Sequence, residues 1–201
     1  PNNRLNDGAC DSHGTLWFGS MSMTVNQPGQ AFETTGAFYS FRAGEGLIRH
    51  FGDVGISNGI AWSPDESVLY HVDSHKRTIT AFDFDGPSRS LTARRLAIIL
   101  PDDSGDPDGM CADDEGMLWV AEFGASRISR WNPATGQKLD EVSVAAENPT
   151  SCCFGGPGRD ALLITTALID SPNLAWLPDS GSLFTAYPGQ RGLGSHRFFI
   201  K

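Results

Sequence analysis

The sequence predicts an all-β protein, a β-propeller built from four-stranded blades. Three observations predict it. Short apolar strands alternate with turn signals, helical periodicity is nearly absent, and one strand–turn–strand design recurs four times. Glycine occurs 23 times and proline 12 times in 201 residues. Such punctuation between many short strands points to a sandwich, a barrel or a propeller. The repeat selects among them. Its copies run from Asn6 to Ser20 (NDGACDSHGTLWFGS), Ser57 to Ser74 (SNGIAWSPDESVLYHVDS), Pro107 to Phe123 (PDGMCADDEGMLWVAEF) and Pro149 to Ala167 (PTSCCFGGPGRDALLITTA). Each has a polar start, a short strand, a tight Gly or Asp turn and a strongly apolar strand. Leu16, Leu69, Leu118 and Leu162 occupy matching positions, 53, 49 and 44 residues apart. A propeller blade takes roughly 40–50 residues, so residues 1–201 are expected to form one propeller domain of about four blades.

The outer strands lie between the copies. GAFYSF and LIRHF follow the first, and ITAFDFD and ARRLAIIL follow the second. RISRWNPATGQKLDEVSV follows the third, with NPATG as its hairpin turn. FDFDGPS, with Asp83 and Asp85, resembles half of a calcium loop but lacks the acidic residue that closes one; it reads as a hairpin turn. Trp17, Trp62 and Trp119 sit at repeat positions and read as packing between blades rather than as sugar-stacking platforms.

The net charge of -9 argues against a nucleic-acid partner, since such proteins usually present a basic face. No apolar run reaches the 18 or so residues of a membrane span, so no membrane partner is expected. The polar start PNNRLNDG is not a signal peptide, which makes a cytoplasmic location the expectation. The sequence starts inside a repeat and without a methionine. An N-terminal segment of the same protein, carrying further blades, is therefore expected as its partner. Cys10, Cys111, Cys152 and Cys153 make no C-x-x-C pair and read as small core residues.

In a propeller the starts of the innermost strands converge on the central channel. The polar residues there are Arg4, Asn6 and Asp7 in the first copy, Asn58 in the second and Asp108 in the third. Each group is followed by a glycine: Gly8, Gly59 and Gly109. Amide and carboxylate oxygens are hard donors suited to Ca²⁺, Mg²⁺ or Mn²⁺ and tolerated by Zn²⁺. N-G and D-G are also ordinary turn dipeptides, and spacing alone does not separate the two readings. GISNG, Gly55 to Gly59, matches the nucleophile-elbow pattern, but a turn follows it where that motif needs a helix. Ser57 reads instead as a backbone-bonding turn residue. His71 and His75 would share a face only if their strand ran past Asp73. They read as core or surface histidines, and Asp73 as a residue that ties the blade down through hydrogen bonds.

RLNDGACDSHGTLWFGSM, ISNGIAWSPD, LYHVDS, AFDFD, PDGMCADDEGMLWVAEFG and PTSCCFGG resemble, in order and spacing, the signatures of the senescence-marker-protein/gluconolactonase/luciferin-regenerating family, which includes regucalcin. The final SGSLFTAYPGQRGLGSHRF is similar to that family's last strands, so the resemblance covers essentially the whole chain. It implies a six-bladed propeller with one divalent metal ion (Ca²⁺, Zn²⁺, Mg²⁺ or Mn²⁺) in the channel and a sugar lactone as substrate. It implies Asn58 and Asp108 as metal ligands, with Asp108 also placed to act as general base. Arg4 and Asn6 would contact the sugar. The family's third ligand, an early Glu, has no counterpart in this sequence. An acidic substrate contact found in some members falls, on an ungapped reading, at Thr24. The function expected is metal-dependent lactone hydrolysis. The alternatives are a non-catalytic, regucalcin-like propeller that binds calcium or a small molecule, and a hydrolase of another ester class on the same scaffold. Arg4 and Asn6 beside the metal positions favour the enzyme, because a pure cation binder has no use for an arginine there.

Overall fold

Each repeat folds into one antiparallel sheet, because its apolar runs are strand-length and are separated by tight turns. A computed structural model describes residues 2–23, 32–169 and 177–200. The first blade holds β1 (Asn3–Cys10), β2 (Leu16–Ser22), β3 (Gly36–Arg42) and β4 (Gly46–Val54), in that spatial order. In the second come β5 (Ser57–Trp62), β6 (Val68–Asp73), β7 (Thr78–Asp85) and β8 (Ser90–Ile99). The third has β9 (Asp106–Ala112), β10 (Leu118–Phe123), β11 (Arg127–Asn132) and β12 (Gln137–Ser143). The fourth has β13 (Pro149–Gly155), β14 (Ala161–Thr166) and β15 (Leu183–Ala186). The chain is thus all-β, with four blades arranged as a propeller. Among the described residues the last blade has three strands rather than the expected four. After β15 the chain leaves the sheet: Leu193 donates its N–H to Ala112 of the third blade and Phe199 donates to Gly14 of the first. No described helix is long and apolar enough to cross a membrane.

The core lies between blades. Trp17, Phe38, Ile60, Leu69 and Phe82 join the first blade to the second. Tyr70, Val72, Ile79, Met110, Leu118 and Val120 join the second to the third. Trp119, Ile128, Cys152, Leu162 and Ile164 join the third to the fourth. The inner blades are therefore covered on both faces, which is why VLYHVD and LWVAEF read as nearly unbroken apolar runs. All three repeat tryptophans take this packing role.

Two buried carboxylates tie the first two strands of their blades together. Asp11 accepts bonds from the Trp17 indole at 2.8 Å and the Thr15 N–H at 2.9 Å. Asp113 accepts bonds from the Trp119 indole at 3.0 Å, the Met117 N–H at 2.9 Å and the Arg130 guanidinium at 2.8 Å. Gly14 and Gly116 close these turns with φ of 73° and 81°, which disfavour a side chain.

The innermost strands β1, β5, β9 and β13 meet one another around the channel, and they approach closely. A Cβ on Gly59 would lie 2.7 Å from the Asp108 carbonyl oxygen and 2.8 Å from the Met110 nitrogen. Both are backbone atoms and cannot swing away. Gly59→Ala is expected to destabilise the fold by about 1–3 kcal/mol, as overpacking does; an unchanged urea midpoint would show that the strands separate freely.

Two imidazoles enter this packing, His71 buried and His50 half-buried. The His71 ring lies 4.7 Å from Phe38 and bonds the Ser57 hydroxyl at 2.8 Å. The His50 ring stacks on Trp17 at 4.8 Å. Burial, followed by nearby arginines, pushes His71 down to about 3 and His50 down to about 4. The unfolded chain therefore takes up these protons first, and stability is lost as pH falls below the free imidazole value. For His71 the loss between pH 7.5 and 5 is about 2 kcal/mol. His71→Gln should show a correspondingly flatter dependence in denaturant titrations at the two pH values, with contributions from other groups cancelling in the difference. Parallel dependences would contradict it.

Candidate functional site

Every innermost strand carries one extra residue at the same place. In β1 the register steps from Leu5 opposite Ser20 to Gly8 opposite Phe18, so Asn6 and Asp7 together face one residue of β2. Asn58 and Gly59 do the same in β5, and Asp108 and Gly109 in β9. In β13 the extra residue is Thr150, between Pro149 and Ser151. Such a bulge bends the strand and re-aims a side chain. Repeated in adjacent blades, it brings Asn6, Asn58 and Asp108 to equivalent positions at one end of the channel. The N-G and D-G pairs are thus strand bulges, not turns. Their glycines admit the neighbouring strand: Gly59 faces Asp108 and Met110, and Gly109 faces Ser151.

A chain of hydrogen bonds links these residues. Arg4 donates to the Asn6 amide oxygen at 2.7 Å and to the Leu5 carbonyl at 3.0 Å. The Asn6 amide nitrogen donates to the Asn58 amide oxygen at 2.9 Å and to the Ser57 carbonyl at 2.7 Å. Asn58 in turn donates to the Ser74 hydroxyl at 2.8 Å, and that hydroxyl donates across to the Pro107 carbonyl, next to Asp108. Ser74 thereby fixes which way the Asn58 amide points and couples two blades. Sequence reasoning missed both Ser74 and Thr150. The second was readable, since Thr150 stands four residues before Phe154 as Asn6 stands four before Cys10.

The electrostatics single out Asp108. Burial, then the nearby Asp7 carboxylate, push its carboxyl up to about 7. Burial also raises Asp7, although Asp7 accepts the Gly8 N–H at 2.7 Å, a local backbone bond. Two part-buried carboxyls within reach of each other's charge, and the Asn58 amide oxygen on the equivalent bulge of the next blade, are hard oxygen groups of the kind a divalent cation neutralises. The residues present thus fit such an ion in kind. Among the described residues no three His, Cys, Asp or Glu side chains group closely enough to hold a metal by themselves. Thr24 lies outside the described residues.

The serine in GISNG requires a correction. Ser57 is not a turn residue bonding backbone; it opens β5, fully buried, and its hydroxyl meets the His71 ring. Gly19 seals it from the next strand, where a Cβ would fall 1.7 Å from the hydroxyl. A substrate has no route to this pair. Asp73 ties the blade down, accepting the Gly55 and Ile56 N–H groups at 3.0 and 3.2 Å.

The SMP-30/Gluconolactonase/LRE-like family model matches residues 1–168. The chain belongs to this family. Regucalcin from Danio rerio is 41% identical over 186 residues, covering 92% of this chain and 62% of its own length. A calcium-binding protein, regucalcin, from Agrobacterium tumefaciens superposes with a TM-score of 0.88 at 26% identity, over 100% of this chain and 66% of that one. A gluconolactonase from Xanthomonas campestris superposes with a TM-score of 0.64 at 27% identity, over 80% of this chain and 53% of that one. This member of the family therefore spans a little under two thirds of the length of the relatives it matches.

Removing the Ser74 hydroxyl tests the network. Ser74→Ala strands the buried Asn58 amide nitrogen and should cost about 1–3 kcal/mol in chemical denaturation. An unaltered midpoint would mean that the amide is held by something else.

Proposed function

We propose that the protein hydrolyses sugar lactones with the help of one divalent metal ion. The observation that carries this reading is the convergence of Asn6, Asn58 and Asp108 on equivalent channel-facing bulges, with Arg4, Asn6 and Asn58 joined by hydrogen bonds. Membership of a family that includes gluconolactonases supports it. In this reading Asn58 and Asp108 supply two oxygen ligands. A bound cation there would polarise the lactone carbonyl and acidify a water. Asp108, at the edge of that site, is the carboxylate placed to take a proton from the attacking water.

Arg4 is exposed at the channel edge, where it stabilises negative charge on the former carbonyl oxygen or holds ring hydroxyls. Its bond to Asn6 leaves further guanidinium donors for that task. Asn6 orients hydroxyls through its amide, and Thr24 takes the remaining substrate contact of the ungapped alignment. A second reading, a cation-binding propeller without turnover, is favoured by the neighbour described as a calcium-binding protein.

Lactone opening separates them. Full-length protein should release acid from gluconolactone or xylonolactone when supplied with Ca²⁺, Zn²⁺, Mg²⁺ or Mn²⁺. Chelator should abolish the turnover, and Asp108→Ala should lower it about 100-fold or more. Tight metal binding with an intact fold and no turnover of either lactone would establish the binding reading instead.

A further inference from the structure

The far end of the same strands holds a second chemistry. A cavity of about 580 Å³ opens there, and its lining includes all four cysteines: Cys10 of β1, Cys111 of β9, and Cys152 and Cys153 of β13. All four are free thiols. The Cys111 and Cys152 sulfurs stand 3.8 Å apart, on innermost strands of adjacent blades. That is van der Waals contact between sulfurs, with no atom between them. Cys152 is buried and also lies 3.4 Å from the Trp119 carbonyl. Cys111 keeps part of its surface open where Cys152 does not, and both line the cavity through which a small reagent enters.

We propose that Cys111 and Cys152 are a redox-active dithiol that closes to an inter-blade disulfide on reaction with a small disulfide such as oxidised glutathione. Cys111, as thiolate, attacks one sulfur of the reagent and expels one glutathione thiolate. Cys152 then attacks the mixed disulfide at the Cys111 sulfur and expels the second. The two protein thiols are oxidised, and the reagent is reduced to two glutathione thiols that take up the two protons. The neighbouring sulfur and burial hold the Cys111 thiol well above its usual range. Few thiolates are present at neutral pH, so closure is slow. The product staples the third blade to the fourth across 41 residues of chain, a loop long enough for a disulfide to stabilise the fold.

The test incubates full-length reduced protein with oxidised glutathione, then alkylates and maps it by mass spectrometry. Alkylatable thiols among these cysteines should fall from four to two. The intact mass should drop by two hydrogen atoms, and a Cys111–Cys152 linked peptide should appear and vanish with dithiothreitol. The melting temperature should rise by about 5 °C or more. Cys153→Ser should keep the crosslink and Cys111→Ala should lose it. Should Cys111→Ala fail to fold, the peptide map of the unsubstituted protein decides alone. Persistence of all four thiols, a glutathione adduct on Cys111 that never resolves, or a crosslink through Cys153 would overturn the proposal.

Discussion

Neighbouring innermost strands run within backbone contact of each other around the channel, and much else follows from that approach. Where Gly59 meets the Asp108 carbonyl and Gly109 meets Ser151, there is no room even for a methyl group. The bulge resolves the conflict between close packing and chemistry. Its first residue carries a polar side chain into the channel, and its second, lacking a side chain, admits the next blade. One dipeptide, N-G or D-G, therefore serves both packing and site in the second and third blades. In the first blade the bulge holds two polar residues, Asn6 and Asp7, with Gly8 just after.

That close approach also dictates how the rest of each blade is held. Wedged between neighbours, the second strand is buried on both faces, and a polar group on it needs an internal partner. Asp11 and Asp113 meet this demand by taking the indole of their own second strand and the N–H groups of their own turn. His71 meets it through Ser57, at the cost of staying neutral. The outermost strands carry no such constraint, and β12 is exposed along nearly its whole length.

The blades were legible in the sequence because strand length, apolar runs and turns are local signals, and the repeat multiplied each of them. The equivalence of the candidate site residues was legible for the same reason: Asn58 and Asp108 stand at one phase of the repeat. What local signals do not carry is register. N-G and D-G look alike as turns or bulges, and only the pairing of Ser57 with Asp73 and Ile60 with His71 decides between them. Ser57 was misread on the same account, since turn chemistry gave way to tertiary burial. Ser74 could not be seen at all. It lies past the end of β6 and acts on Asn58, sixteen residues away in sequence and adjacent only once the sheet forms. The path of the chain after β15 was equally hidden, because it is set by partners in other blades.

The identity of residue 58 follows from the bonds around it. Its nitrogen donates to Ser74, and its oxygen receives Asn6. An amide oxygen has two lone pairs, so one remains for a cation or a substrate hydroxyl while the other is held. An aspartate at this place would offer the same oxygens but no donor for Ser74, whose hydroxyl is already committed to the Pro107 carbonyl. It would also set a third carboxylate beside Asp7 and Asp108, each already raised by burial, with Asp7 adding to the rise at Asp108. Like charges drawn together in a half-buried site protonate rather than ionise, and a protonated carboxyl is a poor base and a poor ligand. Asparagine supplies an oriented oxygen without adding that charge beside Asp7 and Asp108.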